Sequence, residues 1–262
     1  MRKLKWFVVV FSMIVTQAFA ADEATDPATD KDSKWNGDAE LGYVKTTGNT
    51  ETETFVLKAK VINQRNKWKH TVRGEAYHNV DSNDVVTAEK YFLSGKSQYE
   101  FKNRSYMYGL ITYDDDRFSG YDYVLLGVLG YGRTVMEREN LKLDLEVGAG
   151  GRQSQPEVGD TENEAVFRAA GDFEWKISKS AVFTQELSTD IGQDKYINRS
   201  LTALTTNINS YLSSKIAYQV KYTSEVPPDI EKKDTELTFT LLFKYLAIAS
   251  PWRTPGASLC WE

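Results

Sequence analysis

From Trp35 to Tyr245 the chain repeatedly alternates polar and apolar side chains with a period of two, and almost no helical periodicity competes with it. A backbone whose successive side chains point to opposite faces produces that pattern as a strand and as nothing else. Leu141, Leu143, Leu145 and Val147 share one face, with Lys142, Asp144 and Glu146 on the other. Ala165, Phe167, Ala169, Phe173 and Trp175 alternate with Arg168, Asp172, Glu174 and Lys176. Leu237, Phe239, Leu241, Phe243 and Tyr245 alternate with Glu236, Thr238, Thr240 and Lys244. Cutting at turn residues predicts about twelve strands: 37–47, 51–62, 67–80, 86–101, 104–114, 121–136, 140–151, 163–177, 180–190, 198–209, 213–224 and 234–245. Most exceed the ~5–6 residues of an ordinary globular strand and match the ~9–11 of a tilted membrane-crossing strand plus its ends.

The connections alternate as well. Asn63–Asn66, Lys102–Asn103, Glu137–Glu139, Ser178–Lys179 and Ser210–Leu212 are tight. Asp81–Val85, Asp115–Gly120, Arg152–Glu162, Ile191–Ile197 and Glu225–Lys233 are longer and richer in Gly, Pro and Asp, while the first connection, Gly48–Thr50, is short. Short periplasmic turns alternating with longer outer loops are the signature of an outer-membrane barrel. Aromatic residues near strand ends fit the headgroup level: Trp35, Trp68, Phe101, Tyr106, Tyr113, Tyr121, Tyr123, Trp175 and Tyr222. Lipid offers no partner to an open sheet edge, so the expected fold is all-β: a closed, antiparallel, up-and-down transmembrane β-barrel of about twelve strands.

Composition removes other classes. A mean hydropathy of −0.48, with no second long apolar run, excludes a bundle of membrane helices. A net charge of −5 argues against non-specific nucleic-acid binding, and the single Cys260 excludes a disulfide framework or a Cys-rich zinc site. Residues 1–20 read as a cleaved signal peptide: basic Arg2, Lys3 and Lys5, apolar Trp6 to Val15, then Ala18-Phe19-Ala20. Residues 21–34 form an acidic leader too polar to order itself, 35–245 the barrel, and 246–262 an irregular C-terminal tail containing Pro251 and Pro255.

Several segments carry a resemblance. Thr47-Gly48-Asn49-Thr50-Glu51, Asp116-Arg117-Phe118-Ser119-Gly120-Tyr121, Gly127-Val128-Leu129-Gly130-Tyr131-Gly132, Leu143 to Arg152, and Pro227-Pro228 leading to Asp234-Thr235 follow one another in order and spacing. Together they resemble the YdiY-like family of salt-induced outer-membrane proteins, itself a domain family of unknown function. The resemblance covers roughly residues 37–245. It implies a Gram-negative outer-membrane barrel linked to salt or osmotic stress and envelope integrity, and it transfers no catalytic residue. The tail departs from the pattern: where such barrels end on an aromatic residue of an alternating strand, here Leu237 to Tyr245, this chain continues to Glu262. A natural extension or an altered reading frame would each produce it.

Chemistry candidates are few. His70 and His78 lie eight residues apart, or ~26 Å along a regular strand, and cannot share one site. Ser94, Ser97 and Glu75 stand near them, without a nucleophile motif. Asp114, Asp115 and Asp116 are expected in an outward loop, where they would be solvated or would meet a divalent cation or cation-bridged lipopolysaccharide. The strand glycines from Gly127 to Gly151 read as devices for curvature and close packing, not as a phosphate loop. The best functional candidates are the lumen-facing charges Lys142, Asp144, Glu146, Arg168, Asp172, Glu174 and Lys176. They either neutralise one another in a filled interior or line a narrow aqueous path.

The expected protein is therefore a non-enzymatic outer-membrane barrel without cofactor or metal, with a narrow solute or ion channel as its candidate activity. Its surroundings would be outer-membrane lipid and lipopolysaccharide, with the barrel-assembly machinery as partner during biogenesis, no nucleic acid, and an oligomeric state that the sequence leaves open. Two alternatives stand beside it: a secreted soluble β-barrel binding a small ligand inside, and an outer-membrane lipid-modifying enzyme.

Overall fold

The computed structural model describes residues 34–46, 52–81, 86–101, 104–117, 119–227 and 230–247. These form twelve strands: β1 (Lys34–Thr46), β2 (Thr52–Arg65), β3 (Trp68–Asp81), β4 (Val86–Glu100), β5 (Ser105–Asp116), β6 (Tyr121–Arg138), β7 (Leu141–Pro156), β8 (Glu162–Lys176), β9 (Ala181–Ile191), β10 (Tyr196–Asn207), β11 (Leu212–Thr223) and β12 (Lys233–Ala247). Each pairs antiparallel with its neighbours in sequence, and β12 returns to β1 in register from Trp35↔Ala247 to Leu41↔Leu241. The sheet is a closed up-and-down barrel, with no helix among the described residues. The signal-peptide segment, the leader up to residue 33, the hairpin Thr47–Glu51, Phe118, Pro228 and the tail from residue 248 lie outside the described residues.

Strand length fits the bilayer. A 12-residue strand such as β5 is roughly 40 Å long. At the usual tilt it covers about 30 Å, the thickness of the hydrocarbon core. Cross-strand register then fixes the facing of every side chain, because directly opposed residues share a face. One set points away from the barrel axis: Leu41, Phe55, Leu57, Val72, Met107, Ile111, Leu129, Val147, Phe167, Leu187, Ile216, Leu237 and Phe239 are all exposed, Leu129 at 74% and Ile111 at 62%. In a water-soluble barrel such residues would be the interior. Here they form a continuous apolar exterior, as lipid requires.

Aromatic residues gather at both ends of this belt. Trp68 packs on Tyr99 (5.0 Å) and Phe101 on Tyr131 (6.2 Å) near the short-turn end, while Tyr113 and Tyr123 (6.0 Å) and Tyr196 and Tyr222 (5.9 Å) meet near the long-loop end. The short turns have matching local chemistry. Asn66 adopts the left-handed φ of 53° in the two-residue link Asn66–Lys67, a position at which Asn is enriched. Asn209 Oδ1 accepts the backbone N–H groups of Tyr211 and Leu212 (2.9 and 2.8 Å), and Ser178 Oγ accepts those of Ser180 and Ala181 (3.2 and 3.1 Å).

The interior packs most densely along β5–β8. Tyr106, Tyr108, Leu110, Leu126, Val128 and Val166 form one buried cluster on the inner wall. Room for the two tyrosines comes from inward glycines on the next strands. Tyr106 opposes Gly132 and Tyr108 opposes Gly130, and each ring reaches over its glycine towards β7. A Cβ on Gly130 would come within 2.6 Å of the Tyr108 ring, and one on Gly148 within 2.8 Å of its hydroxyl. Glycine is thus a packing partner of tyrosine in this wall.

At the long-loop end the segment after β11 leans over the mouth. Gly120, at φ 75°, would press a Cβ to 3.0 Å from both Pro227 and Ile230. Its glycine identity follows from the positive φ and from that contact together.

Candidate functional site

Inward-facing positions of all twelve strands meet in one charged lumen. Along the wall, strands one to three places apart in the ring exchange short ion pairs. Lys96 on β4 reaches Glu146 on β7 at 2.6 Å, and the Tyr106 hydroxyl donates to the same carboxylate at 2.7 Å. Arg152 is 1% exposed and donates to Glu164 through Nε (2.8 Å) and Nη2 (2.6 Å), and through Nη2 to the Lys195 carbonyl (2.8 Å). The Lys195 ammonium in turn donates to the Tyr121 hydroxyl and to Glu162, both at 2.9 Å. Lys58 lies 3.2 Å from Glu75 and 3.8 Å from Glu236. Lys215 and Thr240 both donate to Glu40, at 2.7 and 3.1 Å, and so clamp the seam where β12 meets β1.

Other pairs cross the lumen. Strands six positions apart in a ring of twelve are diametrically opposed, as β3 and β9 are, and β5 and β11. Arg73 on β3 donates through Nη1 and Nη2 to the two oxygens of Glu186 on β9, both at 3.2 Å. Lys221 on β11 donates to Asp114 on β5 at 3.1 Å, and Arg199 on β10 approaches the same carboxylate at 3.5 Å. Asp190 on β9 is 1% exposed and accepts from Arg168 at 2.6 Å and Arg199 at 2.8 Å. Arg168, Asp190, Arg199, Asp114 and Lys221 therefore form one relay linking β8, β9, β10, β5 and β11. Two ionic bars span the bore: Arg73–Glu186, and the Asp114 junction nearer the long loops. Arg73 and Glu186 keep 27% and 37% of their side-chain surface accessible, so open space surrounds their bar.

The lumen candidates read from sequence occupy distinct places. Lys142 pairs with Asp144 at 3.0 Å, and Thr134 donates to Asp144 at 2.5 Å. Glu146 and Arg168 belong to the wall and the relay. Asp172 faces inward between Asp144 and Glu186 in register and makes no ion pair among the described residues. Glu174 and Lys176 are exposed at the short-turn rim. The outward-loop expectation for Asp114, Asp115 and Asp116 is corrected: all three lie in β5. Strand alternation sends Asp114 and Asp116 inward, to Lys221 at 3.1 Å and Lys90 at 3.3 Å. Asp115 faces outward, 3.4 Å from the Tyr113 hydroxyl that donates to it.

Arg73, Glu186, Asp190, Arg199 and Lys221 were not singled out from sequence, although the same alternation places each on a polar face.

The histidines do not build a hydrolytic site. His70 Nδ1 lies 2.9 Å from Ser97 Oγ on the outward face, and the His70 ring stacks on Trp68 at 5.6 Å. Glu75, the acid that a triad would need, faces inward to Lys58. No group of three or more His, Cys, Asp or Glu among the described residues could hold a metal ion.

The fold is similar to that of the NanC porin, with a TM-score of 0.53 at 12% identity over 80% of this chain and 100% of that one. An uncharacterized protein of Escherichia coli (strain K12), YdiY, is 29% identical over 231 residues, which are 86% of this chain and 90% of that protein. The family described as "Protein of unknown function, DUF481" matches residues 39–245, nearly the whole barrel, and the chain belongs to that family.

Proposed function

We propose that the protein is an integral outer-membrane barrel that conducts small polar solutes or ions through a narrow, charge-partitioned lumen. The observation that carries this reading is the Arg73–Glu186 bar: a guanidinium and a carboxylate meet across the full width of the bore while both stay partly accessible. A barrel kept only as a structural plug gains nothing from charges held at arm's length, because apolar filling of equal volume is as stable or more so. The apolar exterior supports the membrane setting over a soluble ligand carrier, and the His70–Ser97 contact without an acid gives the lipid-modifying alternative no catalytic group.

Purified protein in a planar lipid bilayer is expected to show small, discrete conductance steps in KCl. Truncating the bar with Arg73→Ala or Glu186→Ala is expected to enlarge the steps, because either change removes half of the obstruction and leaves the other charge facing water. A silent bilayer, with the protein folded by gel mobility, overturns the channel. The stress link implied by the family resemblance has its own measurement. A deletion strain is expected to lag its parent as NaCl rises and to recover with the native gene.

A further inference from the structure

The Arg73–Glu186 bar has an open counterpart beside it. Lys60 on β2 is the cross-strand neighbour of Arg73, and Asp172 on β8 is the cross-strand neighbour of Glu186. Strands β2 and β8 are again six apart and diametrically opposed. Two cations on one wall therefore face two carboxylates on the other, at one level of the bore. Only one of the two possible transluminal pairs is formed, since neither Lys60 nor Asp172 makes an ion pair among the described residues.

Surrounding charges do not remove the asymmetry. Lys58, Lys96 and Lys142 are held by Glu75, Glu146 and Asp144 at 3.2, 2.6 and 3.0 Å. Lys69 has no ion pair among the described residues and adds to the cationic wall four positions from Arg73 on β3. Asp38 also lacks one among the described residues, and it flanks Lys60 from β1, on the side away from Arg73. The pair that does form is long. Its two contacts are 3.2 Å, against 2.6 Å for the wall pairs Arg152–Glu164 and Arg168–Asp190. Charge-assisted bonds are typically ~2.7–2.9 Å long, so both contacts of this bidentate pair are stretched.

We propose that this level of the lumen recognises small zwitterions. The solute carboxylate engages Arg73 and Lys60, and its ammonium engages Asp172 and Glu186. A zwitterion exchanges one stretched pair for two short ones. A simple anion or cation satisfies one wall and leaves the other uncompensated. An uncharged solute must part Arg73 from Glu186 and offers no charge in return. The inference rests on the channel reading and names its substrate class.

Glycine and its uncharged isomer glycolamide, which have the same atoms, separate the possibilities in a proteoliposome swelling assay with the full chain. Glycine is expected to enter several-fold faster than glycolamide. That preference is expected to vanish in Asp172→Asn and in Lys60→Met, each first shown to be folded by heat-modifiable gel mobility and to conduct KCl. Asp172→Asn preserves shape, so it remains informative if Lys60→Met fails to assemble. Native protein that conducts KCl but admits both isomers equally overturns the zwitterion site and leaves the channel standing. So does a glycine preference that survives both substitutions. Vesicles tight to KCl and to both isomers overturn the channel and the inference together.

Discussion

Asp190→Ala is expected to destabilise the barrel by about 3–5 kcal/mol, the usual result of removing one member of a buried ionic cluster. Asp190 is 1% exposed and receives two guanidinium groups, Arg168 at 2.6 Å and Arg199 at 2.8 Å. Without the carboxylate Arg168 loses its only ion-pair partner among the described residues, and its Nε is already without a hydrogen-bond partner there. Among the described residues Arg199 retains only Asp114, at 3.5 Å. The two cations would then face each other in a confined space. The urea midpoint of the detergent-solubilised or liposome-inserted protein is expected to fall, with Asp190→Asn between alanine and native. The double variant Asp190→Ala, Arg168→Met is expected to recover most of the loss, because it removes the orphaned charge and replaces it with apolar volume. A single variant as stable as native, or a double variant no better than the single, would show that the relay is solvated and does not brace the wall.

The barrel itself was legible in the chain because its two determinants are local. Period-2 alternation marks a strand facing two different media, and turn residues mark its ends. Eleven strands end within three residues of expectation. The exception is β7, expected to stop at 151 and observed to reach Pro156. Arg152, Gln153, Ser154 and Gln155 are polar on both faces, so apolar periodicity ends there while the ladder continues, with Leu126 opposite Arg152 and Val124 opposite Ser154. Asp114–Asp116 fails for the same reason: a run of like charges has no alternation in polarity, although the backbone still alternates its direction.

The lumen contacts were legible in kind but not in pairing. Polar faces announce an ionic interior. Whether Arg73 meets Glu186, 113 residues away, depends on ring closure, strand number and register, which no local pattern carries. The wall charges on β7 and β8 were the visible ones because the two strands are adjacent and their alternation is strict. The transluminal pairs emerge only when strands three and nine are seen to be opposite. The glycines are intermediate. Their spacing suggested close packing, but the tyrosines lying over them belong to another strand.

Gly150→Val is expected to abolish assembly of the barrel. A Cβ at Gly150 would be driven into the Gly127 carbonyl and would sit 2.8 Å from the Val128 Cα. Both obstacles are backbone of the paired strand β6, so no rotamer change relieves the clash. Overpacking a well-filled core ordinarily costs about 1–3 kcal/mol because side chains can shift. Here the ladder between β6 and β7 must separate, and backbone hydrogen bonds lost within a membrane wall have no water to replace them. The matched control is Gly127→Ala, in the same ladder and facing lipid, where an added Cβ meets nothing within 4 Å. It is expected to assemble normally and to lie within about 0.5 kcal/mol of native, as open surface sites do. Heat-modifiable migration on a gel reads both results, since only a closed barrel resists cold detergent. If Gly150→Val migrates as a folded barrel, β6 and β7 are not held as closely as the structure places them. If Gly127→Ala fails alongside it, glycine serves strand flexibility at both sites and the clash is not the cause.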